Sequence, residues 1–267
     1  MSRTIITSTS NNSVKFAKRV RDGKERDLIF IEGARLVGEV LSSHIAIDEV
    51  YLTSGFAEIN KDLYDRCEQA RLPVTIVADN VLKAMAETPS PQGIAVIAKR
   101  PEHSIADISE RFAKKGNGGF AVYLYQIGNP ANLGAIVRTA EAAGAIGVIT
   151  SERSTDAFSP ASLRGSMGSA FRLPIVENIS IKEVAEFAKS DLVRLVSVDI
   201  KGDMSYSEAD WAGRRLLVFG SEAHGLPDDV LSISDEIVTI PMSMPVESLN
   251  LAVSTGIILF EARRQTI

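Results

Sequence analysis

Cysteine occurs once in the 267 residues, at Cys67, and histidine three times, at His44, His103 and His224. A single cysteine cannot close an internal disulfide, and Cys and His never cluster at metal-ligand spacing, so a disulfide scaffold is excluded and no metal is expected. No run approaches the roughly 18 apolar residues of a membrane span, and the opening MSRTIITSTSNNS has no apolar stretch of signal-peptide type. The expectation is a cytoplasmic protein without a membrane partner. There is no G-x-x-x-x-G-K-[ST], and no G-x-G-x-x-G follows a strand pattern, so neither a phosphate cradle nor the usual dinucleotide turn is supported. The second half of the chain contains no cysteine, which excludes thiolate catalysis there, and GSEAHG is not the G-x-S-x-G nucleophile elbow.

What is present is an ordinary packed-protein composition, 45% hydrophobic, with an uneven charge. The net charge is −5, yet residues 1–26 carry +5 and the remainder −10. A basic arm on an acidic body is the footprint of a polyanionic partner, with Lys15, Lys18, Arg19 and Arg21 as candidate contacts; a solvated helix is the alternative.

Strands read from β-branched and aromatic runs, and helices from 3.6-residue periodicity, give two α/β blocks. The first contains the strand patterns LIFIEG, DEVYLT, PVTIV and GIAVIAKR. The second alternates strands and helices from AVYLYQI to the terminal helix, which predicts a mostly parallel, covered sheet. The expected boundaries are a first domain over 1–103, a connection over 104–119 centred on the glycines of KKGNGGF, and a second domain over 120–267.

In an open parallel sheet, ligands bind beyond the carboxyl ends of strands. Three strand-end loops there combine polar side chains with Gly or Pro: GNPANLG, GSEAHGLP and PMSMPVESLN. The first opens a helix whose stripe of Leu133, Ile136, Val137, Ala140 and Ala143 is the expected core face. Its other side carries Gly134, Ala135, Ala142 and Ala145, with Arg138 and Glu141 as the long side chains. Taken singly, Asn132 and Ser248 also fit as helix caps, and Arg138 with Glu141 as a surface pair. The final helix is apolar nearly all round. Leu249, Ala252, Val253, Gly256, Ile257 and Phe260 form one stripe, while Leu251, Ile258, Leu259 and Ala262 populate the other side, a pattern of burial against a second layer or subunit.

NPANLGAIVRTAEAAGA, LLVFGSEAHGLP and IPMSMPVESLNLAVSTGIILFEARRQ resemble, in order, the three signature motifs of the SpoU or TrmH family of RNA ribose 2′-O-methyltransferases in the SPOUT superfamily. SNNSVKFAKRV, FIEGARLVGEVL and PQGIAVIAK resemble the small ribosomal-protein-like domain that many members carry for RNA binding. The resemblance implies an α/β fold: a C-terminal parallel-sheet domain with a deep trefoil knot, preceded by a small α/β substrate-binding domain. It implies S-adenosylmethionine as cofactor, bound at Gly220, Ile240 and Leu249 with Met242 and Ser248 nearby, and catalytic positions at Asn132, Arg138, Glu222, Ser248 and Asn250. It implies a homodimer acting on RNA, with 23S ribosomal RNA favoured over transfer RNA. Many relatives have Asp-Pro where this chain has Asn129-Pro130. A non-catalytic RNA-binding member of the fold and a Rossmann-like enzyme for another nucleotide-derived ligand are the alternatives.

Overall fold

The computed structural model describes residues 5–266; Arg3 of the basic arm lies outside the described residues. The chain divides into two compact units, Met1–Pro101 with Phe158–Arg172, and Glu102–Ala157 with Leu173–Ile267. Among the described residues, no helix is long and apolar enough to cross a membrane.

The first unit runs α1 (Asn12–Arg21), β1 (Leu28–Glu32), α2 (Ala34–Leu41), β2 (Ile47–Leu52), α3 (Ser54–Ile59), α4 (Lys61–Gln69), β3 (Val74–Ile76), α5 (Asp79–Met85) and β4 (Ile94–Lys99). Its four-stranded sheet has the order β1-β4-β2-β3, with β4 antiparallel to both neighbours and β2 parallel to β3. One face is closed by α1 and α5, whose Val14, Ala17, Val20, Val81, Leu82 and Met85 pack with Phe30, Tyr51 and Ile97 of the sheet.

The chain continues with α6 (Ile105–Lys115), β5 (Gly119–Leu124), α7 (Pro130–Ala143), β6 (Val148–Thr150), α8 (Pro160–Ser166), β7 (Ile175–Val176), α9 (Ile181–Ser190), β8 (Arg194–Val198), β9 (Met204–Ser205), β10 (Arg214–Phe219), α10 (Asp228–Ser232), β11 (Glu236–Thr239) and α11 (Leu251–Thr266). Seven of these strands form one sheet, ordered β7-β6-β5-β10-β8-β11-β9, and every pairing in it is parallel. The expected α/β class with a parallel sheet is therefore observed.

Two expected boundaries are corrected. The stretch 104–119 is mostly the helix α6, opened by a Ser104/Asp107 capping box. Its Ile108 and Phe112 are fully buried in the second unit's core, so it is packed structure rather than a connection. The segment 158–172, expected in the second domain, belongs to the first unit, where α8 packs against β1.

In α7 the periodicity holds: Leu133, Ile136, Val137, Ala140 and Ala143 are all buried. The helix starts where Asn129 accepts from the N–H of Ala131 at 2.9 Å and Pro130 fixes the first turn, and it stops at Gly144 in the left-handed region with φ 82°. In α11 the core stripe is the reverse of the i, i+3, i+4 series counted from Leu249. Thr255, Ile258, Leu259 and Ala262 are buried, while Val253 and Phe260 are 52% and 50% exposed. Close packing of α11 on α7 leaves the methyl of Thr139 3.6 Å from where a Cβ on Gly256 would stand.

Candidate active site

Register across the sheet lines up the strand ends. Leu124 of β5 pairs with Phe219 of β10, Phe219 with Val198 of β8, and Val198 with Val238 of β11. The four segments beyond this row surround a cleft of about 1080 Å³ in the second unit. Three are the loops singled out in the sequence. The fourth, Asp199–Lys201 after β8, carries no recognisable motif and lines the cleft as well.

Asn132, Gly220, Glu222, Ile240, Met242, Ser248, Leu249 and Asn250 all line this cleft. Arg138 does not. It sits exposed on α7, and it makes no ion pair or hydrogen bond among the described residues.

A chain of side-chain hydrogen bonds joins the three loops. The Asn132 Nδ2 donates to Glu222 Oε1 at 3.0 Å, and Asn250 Nδ2 donates to Asn132 Oδ1 at 3.1 Å. The other carboxylate oxygen of Glu222 accepts from the N–H of Gly128 at 3.3 Å. Burial pushes the Glu222 carboxyl up, but the hydrogen bonds from Asn132, Gly128 and Asn129 outweigh it and hold the group below the ordinary carboxylate range. Glu222 is thus an ionised acceptor with both oxygens engaged, suited to orienting Asn132 and poorly suited to taking up a proton. Asn250 has a second duty: its Oδ1 accepts from the N–H of Ala252 at 2.9 Å and caps α11. The helix caps are therefore Asn129 and Asn250, not Asn132 and Ser248, which leaves the side chain of Asn132 available to bridge the loops. Because Asn129 works through one oxygen, an aspartate could fill the same capping role.

The β10 loop is held by its own backbone. Ser221 and Gly225 exchange N–H to carbonyl bonds at 3.2 and 2.9 Å, closing a tight turn with the exposed residues Glu222, Ala223 and His224 at its tip. A Cβ on Gly220 would lie 2.2 Å from the carbonyl carbon of Gly225, so only glycine permits this closure. Asp199, Glu222 and Glu247 line the cleft together with Arg153 and Lys201, so the acidic residues there can favour a cationic group while Arg153 leaves one basic point on the same cleft. Among the described residues, no three His, Cys, Asp or Glu side chains converge as metal ligands.

A family model described as the SpoU rRNA methylase family matches residues 119–260, and a second, described as RNA 2′-O ribose methyltransferase substrate binding, matches residues 30–104. The chain belongs to the SpoU family. It is 31% identical, over 97% of its length and 93% of the relative's, to an uncharacterized tRNA/rRNA methyltransferase of Synechocystis. It is 28% identical, over 97% of its length and 98% of the relative's, to the Bacillus subtilis 23S rRNA (guanosine(2553)-2′-O)-methyltransferase RlmP. The solved structure of an AdoMet-bound rRNA methyltransferase from Sinorhizobium meliloti superposes with a TM-score of 0.86 at 28% identity, covering 99% of this chain and 98% of that one. This SpoU member is an S-adenosylmethionine-dependent RNA ribose 2′-O-methyltransferase, and the acidic residues lining the cleft, Asp199, Glu222 and Glu247, fit the positive charge of a sulfonium cofactor.

The basic arm is only partly available to RNA. Arg21 donates to the carbonyls of Met85 and Ala86 at 3.1 and 3.0 Å and pairs with Asp22 at 2.7 Å, so its guanidinium closes the end of α5. Arg19 pairs with Glu25. Lys15 and Lys18 make no ion pair among the described residues and remain the free cations of the four.

Proposed function

We propose that the chain methylates a ribose 2′-hydroxyl of 23S ribosomal RNA as a cytoplasmic, metal-independent homodimer. The Glu222–Asn132–Asn250 chain, which ties all three loops at one sheet edge, is the observation that carries this reading. The rRNA preference draws support from the names of the Bacillus and Sinorhizobium relatives. The deep trefoil knot implied by the motif resemblance belongs to the same reading.

Bound S-adenosylmethionine supplies an activated methyl group for the ribose oxygen. Gly220, Ile240 and Leu249 would hold that cofactor, with Met242 and Ser248 beside them. Asn132 and Asn250, fixed by Glu222, place the ribose, and such approximation accounts for a large share of the rate. Arg138 binds the forming alkoxide or the adjoining phosphate through its fork, a planar set of donors with no acceptor to take up a proton. Since Arg138 lies outside its own chain's cleft, this role requires the cleft of a second copy. The outward apolar face of α11, with Val253 and Phe260, is the surface proposed to receive that copy. Lys15 and Lys18 of the first unit hold RNA phosphates.

The test is mass-shift mapping of RNA from a deletion strain, with and without the gene restored. A methyl restored to one 23S ribose supports the proposal. A methyl restored only in transfer RNA would change the substrate, and no restored methyl would favour the non-catalytic alternative.

A further inference from the structure

We propose that Arg153 is an additional substrate-binding residue, its guanidinium holding an RNA phosphate at the cleft next to the nucleotide that is methylated. This rests on the function proposed for that cleft and adds a residue that none of the three motifs contains. Two Lys or Arg side chains line the cleft, Arg153 and Lys201. Lys201 is committed to Asp228, with Nζ 2.8 Å from the carboxylate. Arg153 is exposed and makes no ion pair or hydrogen bond among the described residues. On a wall otherwise bearing the carboxylates of Asp199, Glu222 and Glu247, this is where a polyanion finds attraction.

The position is also built. Gln126 and Arg153 follow the neighbouring parallel strands β5 and β6, both line the cleft, and both are non-glycine residues in the left-handed region, at φ 53° and 62°. Most side chains avoid that backbone, and it persists where surrounding contacts impose it. Here they are visible. Ser151 Oγ accepts from the N–H of Gln126 at 2.8 Å, Ser154 Oγ from that of Ile127 at 3.3 Å, and the N–H of Thr155 reaches the Ile127 carbonyl at 2.7 Å. The turn bearing Arg153 is thereby fastened to the segment that leads directly into Asn129 and Asn132, so a phosphate on Arg153 would be fixed relative to the ribose-placing asparagines.

The experiment compares wild type with Arg153→Ala, Arg153→Gly and Arg153→Lys, using total RNA from the deletion strain for methyl transfer and the same RNA for filter binding across a salt series. Alanine and glycine should each raise KM for RNA about tenfold, the scale of one lost charge-assisted bond, with the effect on KM rather than kcat and with cofactor affinity retained. The slope of log affinity against log salt should fall by about 0.7, the value for one phosphate contact on a single strand. Lysine should recover most of the affinity, because a point charge suffices for a phosphate. Unchanged KM and salt slope in both the alanine and glycine variants would overturn the proposal. So would a defect in alanine that glycine corrects, since glycine accepts the left-handed backbone and would assign the effect to the main chain. If wild type transfers no methyl group, the function proposed for the cleft fails, while the salt slopes still decide whether Arg153 holds phosphate.

Discussion

Asn132 Nδ2 lies 3.0 Å from Glu222 Oε1, 90 residues further along the chain, and the pair links the loop after β5 to the loop after β10. Since Asn129 caps α7, Asn132 is free of helix-capping duty. Asn132→Ala should therefore cost about 2 kcal/mol of stability at most, the scale of the two partly solvated hydrogen bonds its side chain makes to Glu222 and Asn250. It should nevertheless lower kcat/KM about 100-fold by releasing the ribose-placing groups. Thermal unfolding measured beside single-turnover methyl transfer checks both halves. Equal losses of stability and activity would make Asn132 a structural residue.

Much of this site was legible as pattern. The α7 stripe follows from 3.6-residue spacing, and the parallel order places motif loops at one edge because chain direction does. The α11 face was not decidable from periodicity, since apolar residues occupy both sides and packing on α7 selects Ile258 and Leu259. Arg21 reads as a surface cation because its carbonyl partners at Met85 and Ala86 lie more than 60 residues away in the chain. The capping box of Ser104 and Asp107 was a visible helix signal, masked by the glycines that follow α6. Left-handed Gln126 and Arg153 leave no trace in composition, because tertiary hydrogen bonds impose their conformation.

That reassignment of Arg21 separates two kinds of basic residue in α1. Lys15→Ala with Lys18→Ala should leave thermal stability nearly unchanged and flatten the salt dependence of RNA binding, as fewer counterions are released. Arg21→Ala should instead destabilise by about 1.5 kcal/mol, because it orphans carbonyls at the end of α5. Filter binding and thermal melts on the same preparations distinguish them; a salt slope altered only by Arg21→Ala would reverse the assignment.

Glu261 provides a pH signature. Hydrogen bonds from Arg264 and Gln265 lower its carboxyl from 4.5 to about 2. With the folded pKa depressed, the stabilisation is complete above pH 4.5 and disappears as pH falls from there toward 2. Glu261→Gln should cost less than about 1 kcal/mol at neutral pH, because Arg264 is exposed and the pair is screened. The gap to wild type in urea unfolding should close as pH drops below 4.5. A gap that widens there would contradict the assignment.

The outward stripe of α11 makes the oligomeric state testable without touching the core. Val253 and Phe260 are about half exposed in the single chain, so Val253→Glu with Phe260→Glu should leave the fold intact. Light scattering should give wild type twice the 28.8 kDa chain mass and the double variant one chain mass. A wild-type monomer at micromolar concentration would remove the homodimer, and with it the route by which Arg138 reaches a cleft.

That route can be tested by complementation. Arg138→Ala alone should keep cofactor affinity and cut methyl transfer about 100-fold, the scale of one lost oxyanion donor. Lysine should rescue poorly, because a point charge cannot reproduce the fork. Asn132→Ala should be similarly inactive through the opposite half of the site. When the two inactive proteins exchange subunits, half of the dimers are mixed. In each mixed dimer, the cleft with intact Asn132 meets the intact Arg138 of the other chain, whereas its counterpart carries both defects. Activity should therefore recover to about a quarter of wild type, one working site in half of the molecules. Native mass spectrometry of the mixture verifies exchange. Exchange without recovered turnover would place Arg138 in the service of its own chain, and near-normal turnover of Arg138→Ala by itself would leave the residue as an exposed surface cation of α7.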